Sequence, residues 1–463
     1  MKRLFGTDGI RGIINQTLTG DLAYKVGLAT AKLLTTNSFR DVSFSPFMDN
    51  KPIVLIGTDT RPSKDLIFSG IACGLTAGGV NVITVGILPT PAIAYLTKEY
   101  EFVSAGIMIT ASHNPKEYNG IKIIGPDGYK LHDRLEEQIE NLISSISDET
   151  ISNFFTEEPG IISYDFIESA KTDYTNFIKS LYSFEENKKL RIAVDCSNGA
   201  ASSCKSIFDE LGLNADIYNV DLSGNKINDN CGSMHLEFIQ NKVKEGSYDC
   251  GIAFDGDADR CLLVDKNGDI VDGDFILAII GSYLKDYNKL TNNTIVGTVM
   301  SNLGLVKFCE KKGIKFLSTK VGDKYVLEEM ITNNSSLGGE QSGHIILKDY
   351  ATTGDGLLTA LMILSIINKT EDPLHILKQE MIQYPQVSDK IKAGPKEKNA
   401  FLANSHLRDS INDLVETHLG NDGRAVVRPS GTENYIRVMV EGKDEKVITS
   451  ICERIINLIT THI

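Results

Sequence analysis

Short apolar runs alternate with helical segments along most of this 463-residue chain. Runs such as 53–57 and 102–110 have the length and composition of buried strands. Alternation of this kind favours α/β units over an all-helical or an all-β fold. Three of the predicted strands end in aspartate, which hints that one α/β unit is used three times; these residues are Asp59, Asp195 and Asp255.

Length, charge and cysteine content limit the class of protein. At roughly 150 residues per domain, the length predicts about three domains. The formal net charge of −14 argues against a nucleic-acid partner, because phosphates would be repelled. None of the eight cysteines forms a C-x-x-C pair, and several lie in apolar runs, which indicates buried thiols in a reducing compartment. No apolar stretch approaches the ~20 residues of a membrane span, and the N-terminus does not resemble a signal peptide, so we expect a cytoplasmic protein without a membrane partner.

The sequence Thr-Ala-Ser-His-Asn-Pro at residues 110–115 places a hydroxyl beside an imidazole in a tight polar turn. It follows a predicted strand, so Ser112 lies where open α/β sheets hold their chemistry, in the loop at a strand's carboxyl end. Two interpretations compete. Ser112 is a nucleophile, or the stretch is an ordinary turn, because Ser, Asn and Pro all favour turns. On this stretch alone the ordinary turn is the stronger interpretation.

Three carboxylates follow another short apolar strand, at Asp255, Asp257 and Asp259. If the loop stays extended, alternate residues face one way and the carboxylates converge. Converging anions need a cation, and oxygen-only ligands suit a hard divalent ion, of which Mg²⁺ fits best. An EF-hand is excluded because Arg260 and Lys266 occupy the positions that need Gly and Glu. A haloacid-dehalogenase loop is disfavoured because Asp259 stands where Thr or Val is expected; the remaining alternative is a solvated acidic turn.

A glycine-containing turn between two strands, at residues 428–434, has the composition of a phosphate site. Successive backbone N–H groups in such a turn form an anion nest, and Arg428, Ser430 and Thr432 add donors. Arg437 is near enough in sequence to assist. A phosphate-binding loop therefore fits better than a plain hairpin turn.

Three further segments carry polar groups with less specific patterns. In the glycine-flanked loop 337–344, Glu340 and Ser342 point the same way if the loop is extended, which suits vicinal sugar hydroxyls. His344 in the same loop would more often be a structural histidine. Arg11 lies in a glycine-rich turn near the N-terminus and Lys122 follows the Ser112 region. Read singly, both of these segments could be surface turns.

These motifs form a complementary set for phosphoryl transfer: a hydroxyl, a divalent-metal site, a phosphate loop, a sugar loop and several cations. Taken together they resemble the α-D-phosphohexomutase superfamily. Four superfamily motifs occur in order along nearly the whole chain, at residues 110–115, 255–260, 339–344 and 428–433.

The resemblance implies an α/β protein of four domains around a central cleft, one domain more than the length suggests. Three domains would share an α/β topology with mixed sheets, and the fourth would be a smaller α+β domain. The expected divisions are 1–150 with the phosphoserine loop, 151–254, 255–370 with the metal and sugar-binding loops, and 371–463 with the phosphate-binding loop.

The resemblance also implies the roles of individual residues. Ser112 would carry a phosphoryl group, and Mg²⁺ would bind a phosphoserine oxygen and the three carboxylates of Asp255, Asp257 and Asp259. Lys122, Arg11 and His344 are the candidates for moving the hydroxyl proton and stabilising the transition state, with Lys122 favoured if neighbouring cations lower its pKa. The remaining binding residues would contact the sugar or its phosphate: Glu340, Ser342, Arg428, Ser430, Gly431, Thr432 and Arg437.

Segments 5–12, 321–326 and 339–344 favour a superfamily member that acts on a hexosamine phosphate. The implied reaction is conversion of glucosamine 6-phosphate to glucosamine 1-phosphate through a 1,6-bisphosphate. The alternatives are a mannose- or glucose-phosphate mutase of the same superfamily and a catalytically silent sugar-phosphate sensor. Asn434 and Lys324 depart mildly from the superfamily pattern, and the resemblance is compatible with a homodimer.

Overall fold

The computed structural model describes residues 3–36, 51–184, 190–430 and 434–462. Within them the chain forms four sheets, of seven, five, four and three strands. The first three sheets mix parallel and antiparallel pairs and are covered by helices, whereas the last is antiparallel. The predicted fold class, three α/β domains and a smaller α+β domain, is therefore confirmed.

The first domain contains the seven-stranded sheet, with the strand order β1-β2-β6-β5-β3-β4-β7. Its strands are β1 (Phe5–Gly6), β2 (Gly9–Ile13), β3 (Ile53–Thr58), β4 (Asn81–Ile87), β5 (Ala105–Ile109), β6 (Tyr118–Ile124) and β7 (Ile162–Ser163). Its helices are α1 (Gly20–Thr35), α2 (Lys64–Ala77), α3 (Thr90–Glu99) and α4 (Asp133–Ser145). All six residues of β3 are buried between parallel neighbours, as a sheet covered on both faces requires.

The second domain contains the five-stranded sheet, with the order β12-β11-β10-β8-β9. Its elements are α5 (Ile167–Leu181), β8 (Arg191–Asp195), α6 (Ser206–Glu210), β9 (Asn214–Tyr218), α7 (Glu237–Gly246), β10 (Cys250–Phe254), β11 (Cys261–Asp265) and β12 (Ile270–Val271). Because β10 and β11 pair in antiparallel register, the loop that joins them lies inside this sheet. The expected division between residues 254 and 255 therefore cuts the sheet. The loop that carries Asp255, Asp257 and Asp259 (the metal loop) belongs to the second domain rather than the third.

The third domain contains the four-stranded sheet, with the order β14-β13-β15-β16. Its elements are α8 (Gly273–Asp286), β13 (Thr294–Thr298), α9 (Leu303–Lys312), β14 (Lys315–Thr319), α10 (Asp323–Thr332), β15 (Leu337–Gly339), β16 (Ile345–Leu347), α11 (Gly356–Thr370) and α12 (Leu374–Leu377). Helix α11 is apolar on nearly every side and is buried over 13 of its 15 residues. It begins against the metal loop, where the Gly356 N–H donates to the Ala258 carbonyl at 3.0 Å.

The fourth domain packs a three-stranded sheet, with the order β17-β19-β18, against its helices. Its elements are β17 (Gln386–Lys392), α13 (Pro395–Ala403), α14 (Ser405–Leu419), β18 (Gly423–Pro429), β19 (Tyr435–Gly442) and α15 (Glu445–His462). Alternate residues of β19, at Ile436, Val438 and Val440, enter the domain core, so the intervening residues face away from it. In the described residues, no helix is both long and apolar enough to cross a membrane.

Candidate active site

Ser112 lies in the loop between β5 and β6, fully buried, at the place where the sequence predicts it. Its backbone has φ of 51°, a left-handed conformation that non-glycine residues seldom adopt. Its hydroxyl donates a hydrogen bond to Asp255 Oδ2 at 2.6 Å, across the boundary between the first and second domains. The candidate nucleophile is therefore held against the metal loop, which an ordinary surface turn would not require.

The Arg61 guanidinium, which was not identified from the sequence, fixes the loop that carries Ser112 (the serine loop, between β5 and β6). This side chain is fully buried, and Asp59 accepts from its Nε at 3.0 Å. Its Nη2 donates to the carbonyls of Ser112 at 2.9 Å and Asn114 at 2.7 Å, and its Nη1 donates to the carbonyl of Tyr118 at 3.0 Å. The strand-end Asp59 thus orients an arginine that fixes the loop. The Asp-Thr-Arg sequence directly after β3 was the available signal for this role.

A second donor to the serine loop comes from the second domain. Asn228 Nδ2 donates to the Ser112 carbonyl at 2.9 Å and to the Asn114 carbonyl at 3.1 Å. Gly256 lies against the same group, since a Cβ there would lie 2.5 Å from the Ser112 carbonyl oxygen. Side chains at 228 and 256 are therefore restricted by the approach of the two domains, and no local pattern in the sequence indicated this contact.

The carboxylates of Asp255, Asp257 and Asp259 are buried and present oxygens within 4.8 Å of one another. The loop is a turn rather than the extended segment expected: Ala258 has φ of 54° and its N–H donates to the Asp255 carbonyl at 3.2 Å. Burial and the two neighbouring carboxylates raise the pKa of Asp255 well above its usual range. Asp257 Oδ1 is buried and has no hydrogen-bond partner among the described residues. Clustered, unsatisfied carboxylate oxygens fit a hard divalent cation.

Lys122, on β6, lies among three carboxylates. Its Nζ is 2.8 Å from Asp257 Oδ2, 3.1 Å from Asp259 Oδ2 and 3.0 Å from Asp8 Oδ2. Burial opposes its charge, but the three carboxylates outweigh burial and the nearby Arg11, so the pKa of Lys122 is raised well above its usual range. The condition under which Lys122 was favoured as a base, a pKa lowered by neighbouring cations, is therefore not met.

His344 lies on the opposite wall of the cleft, between two carboxylates. Its Nδ1 is 3.7 Å from Asp259 Oδ1 and its Nε2 is 3.7 Å from Asp323 Oδ2. The Gly354 N–H donates to Nε2 at 3.1 Å, which favours the neutral tautomer with the proton on Nδ1. Burial lowers its pKa, but the two carboxylates prevail and raise it above the ordinary value.

Arg11 and His113 line the same cleft next to the serine. Arg11, on β2, forms an ion pair with Asp8 through Nη2. His113 Nδ1 lies 3.2 Å from Ser112 Oγ. Burial, with the positive charges of Arg260 and Arg11, lowers the pKa of His113 to about 4, so this imidazole is neutral at pH 7.

The sugar loop forms a tight turn rather than the extended segment on which the prediction depended. The Gly343 N–H donates to the Glu340 carbonyl at 3.0 Å. The Glu340 side chain accepts from the Gly322 N–H at 2.9 Å and lines a cleft of about 440 Å³ formed by the first three domains, whereas Ser342 is exposed. The other polar side chains of this cleft are Arg3, Thr7, Asp8, Arg11, His113, Asp259, Arg260, Asp323 and His344.

Two residues predicted to bind phosphate, Arg428 and Arg437, line a separate cavity of about 310 Å³ on the fourth domain. Arg428 on β18 pairs directly with Arg437 on β19, which in turn pairs with Lys390 on β17. Burial and the adjacent Arg437 lower the pKa of Arg428. Three cations in one cross-strand row suit an anion. Ser430 follows β18 and is buried, while Gly431 and Thr432 fall outside the described residues.

Comparison with known proteins agrees with this geometry. Four phosphoglucomutase/phosphomannomutase family models match in order: α/β/α domain I over residues 2–150, domain II over 172–268, domain III over 272–384 and the C-terminal domain over 386–458. The chain therefore belongs to this family of phosphohexomutases, which are isomerases. As in the structure, the metal loop falls within the second domain.

Within this family the chain is similar over its whole length to bacterial proteins named phosphoglucosamine mutase. The relative from Clostridium acetobutylicum is 44% identical over 467 residues, covering 99% of each chain. Among solved structures, a family protein from Burkholderia thailandensis has a TM-score of 0.81 at 24% identity, covering 100% of this chain and 98% of its own. The N-acetylphosphoglucosamine mutase of Aspergillus fumigatus, solved with GlcNAc-6P and magnesium, has a TM-score of 0.65 at 18% identity, with coverages of 99% and 96%.

Proposed function

We propose that the chain interconverts glucosamine 6-phosphate and glucosamine 1-phosphate through a phosphoserine at Ser112. The observation that carries the proposal is the 2.6 Å hydrogen bond from the Ser112 hydroxyl to Asp255, within a buried cluster of three carboxylates. A hydroxyl so placed can hold a phosphoryl group directly beside a metal site. The names of the full-length bacterial relatives support the hexosamine substrate.

The first half-reaction moves the phosphoryl group from Ser112 to the substrate. The P–O bond to Ser112 Oγ breaks, and a new P–O bond forms to the free hydroxyl of the sugar phosphate. The proton of that hydroxyl ends on Ser112 Oγ, which is a hydroxyl again once the phosphoryl group has left. Arg11 lines the cleft, and Lys122 contacts the carboxylate cluster that also binds Ser112, so we assign both cations to neutralising the transferring group.

Asp255, Asp257 and Asp259 would hold Mg²⁺ together with a phosphoserine oxygen. When bound, this ion would draw negative charge away from the phosphoryl group. The magnesium in the Aspergillus fumigatus enzyme supports this choice of ion. The oxygen-only ligand set supports it independently, because Mg²⁺ prefers carboxylate oxygens and water.

The second half-reaction requires glucosamine 1,6-bisphosphate to turn end for end and return its other phosphate to Ser112. One phosphate must therefore be held away from the serine in both orientations. We assign this task to Arg428, Ser430 and Arg437 on the fourth domain, together with Gly431 and Thr432. Glu340 and Ser342 would contact the sugar hydroxyls. An anion site made of guanidinium groups and turn N–H groups binds either phosphate equally well.

The test combines turnover with mass measurement. The purified protein should convert glucosamine 6-phosphate faster than mannose or glucose phosphates, and its intact mass should fall by one phosphate after phosphatase treatment. Ser112→Ala should retain the fold but lose about a thousandfold or more of the turnover, because the group carrier is gone. Exclusive turnover of mannose or glucose phosphates would favour the alternative mutases, and near-wild-type activity of Ser112→Ala would overturn the mechanism.

We further propose that the protein works in the cytoplasm. All eight cysteines are free thiols, and seven of them are buried, which suits a reducing compartment. A homodimer stays a prediction, for which the mass in solution by light scattering is the measurement.

A further inference from the structure

Three carboxylates alternate with two lysines and a histidine in a closed ring at the cleft. Each member of the ring lies next to two others, and all are at least four-fifths buried. In order, the ring runs through Asp259, Lys122, Asp8, Lys130, Asp323 and His344, and returns to Asp259. Five of these residues line the cleft or contact the carboxylate cluster. The sixth, Lys130, does neither, and neither the motifs nor the proposed mechanism gives it a role.

Lys130 follows a tight loop that turns the chain back after β6. In this loop the Gly125 N–H donates to the Tyr129 carbonyl at 2.7 Å, and Lys130 forms a β-bridge with Ile124. The loop also contacts the third domain, since Thr352 Oγ1 donates to the Gly128 carbonyl at 2.7 Å. The backbone is thus fixed on both sides, and the Lys130 side chain is directed between the two domains.

The Lys130 ammonium group joins carboxylates that belong to opposite walls of the cleft. Its Nζ forms hydrogen-bonded ion pairs with Asp8 of the first domain and Asp323 of the third. Asp323 is the first residue of α10, and Asp8 also contacts Lys122. Without a cation at this place, two largely buried carboxylates would lose the partner that they share across the domain boundary, which is unfavourable although Asp8 keeps its contacts with Lys122 and Arg11.

We propose that Lys130 is a positioning residue for the reaction. By binding Asp8 and Asp323 together, it sets the separation between the wall that carries Lys122 and the wall that carries His344. This inference rests on the proposed mutase function, because it assigns Lys130 an effect on turnover through groups that contact the substrate. Errors of about 1 Å in such a separation can reduce turnover by about a hundredfold.

The test uses Lys130→Met, Lys130→Arg, Asp323→Asn and the double variant Lys130→Met/Asp323→Asn. Lys324→Met is the matched control, because Lys324 also joins the third domain to the first, through Asp133 at 2.5 Å. That pair is more exposed and does not line the cleft, since 59% of the Asp133 side chain is accessible. For each variant, kcat and KM for glucosamine 6-phosphate and the melting temperature are measured. Turnover by the wild-type protein tests the proposed function separately.

Lys130→Met should lower kcat about tenfold to a hundredfold with KM changed less than about threefold, and Lys130→Arg should recover most of the loss. The kcat of Lys324→Met should stay within about threefold of the wild-type value. The kcat of the double variant should match that of Asp323→Asn within about threefold, because the ion pair between Lys130 and Asp323 is already lost once Asp323 is neutral.

Two results would overturn the proposal. One is a kcat for Lys130→Met within about threefold of the control. The other is a kcat for the double variant that is about tenfold or more below the kcat of Asp323→Asn, which would mean that Lys130 acts independently of Asp323. Should Lys130→Met unfold below the assay temperature, the comparison of the double variant with Asp323→Asn still decides, since neither carries an unpaired carboxylate at position 323.

Discussion

Replacing Asn228 by alanine tests whether the second domain holds the nucleophile in place. The Asn228 amide donates hydrogen bonds to the carbonyls of Ser112 at 2.9 Å and Asn114 at 3.1 Å. Both carbonyls keep a bond from Arg61, so neither becomes unsatisfied in the variant. At about 1 kcal/mol for each neutral hydrogen bond, the substitution should destabilise the protein by about 2 kcal/mol.

A neighbouring asparagine supplies the control. Asn230 also has a left-handed backbone, with φ of 52° against 57° for Asn228. Its amide is exposed and, within the part of the chain that the structure describes, donates a hydrogen bond only to Asp229, at 3.0 Å. Alanine at either position costs a similar amount for the left-handed conformation, about 1 to 2 kcal/mol. The difference between the two variants therefore isolates the bonds to the serine loop.

The measurements are thermal melting and steady-state turnover of glucosamine 6-phosphate. Asn228→Ala should show a kcat/KM about tenfold to a hundredfold below that of Asn230→Ala, because a displaced serine loop misplaces Ser112 Oγ. Asn228→Asp should have a lower kcat/KM than Asn228→Ala, since its carboxylate would face two carbonyl oxygens and could donate a hydrogen bond to neither. Equal kcat/KM values for Asn228→Ala and Asn230→Ala would refute the role assigned to this amide.

Three further outcomes are expected. Removal of divalent metal by EDTA should reduce turnover to below about 1% and lower the melting temperature, with recovery on addition of Mg²⁺, and activity that survives chelation would contradict the role of the carboxylate cluster. Arg428→Met should raise KM about tenfold with a smaller change in kcat, and an unchanged KM would place the substrate phosphate elsewhere. Burial raises the pKa of Asp355 to about 6, above its unfolded value of 3.8. Protonation of Asp355 therefore stabilises the folded protein; this contribution is fully present below about pH 4 and is lost as the pH rises through 6. When the pH falls from 7 to 4, the unfolding free energy of the wild type should therefore rise by about 2 kcal/mol relative to that of Asp355→Asn, as measured by urea unfolding. A difference between the two proteins that does not change with pH would argue against the raised pKa.

The sequence predicted the groups whose chemistry is visible in a single loop. Ser112 after a buried strand and three aspartates after another supplied the candidates for a nucleophile and a metal site, and the combination with the other motifs favoured them over ordinary turns. The geometry of those loops was less predictable, because alternate residues were expected to converge through extended backbone, and both the metal loop and the sugar loop are turns. The alternation of strands and helices likewise predicted the α/β class.

Contacts between residues far apart in the sequence could not be predicted in this way. Arg61, Asn228 and Lys130 reach their partners over 51, 116 and 193 positions of sequence, so no local spacing records the contact. The pKa of Lys122 could not be predicted for the same reason, since it depends on three carboxylates from two separate segments, Asp257 and Asp259 in one loop and Asp8 near the N-terminus. The boundary expected at residue 254 failed because β11 returns to pair with β10, and a strand pairing is not evident from a loop motif.

The bond from Ser112 to Asp255 joins two separate sheets, and Thr90 on α3 reinforces the junction by donating to Asp257 Oδ2 at 2.5 Å. Neither domain alone contains both the phosphate carrier and its acidic cluster. Catalytic competence is therefore a property of the assembled pair, and it arises only once the two layers dock. We therefore expect activity to return during refolding no earlier than the contact between Ser112 and the acidic cluster.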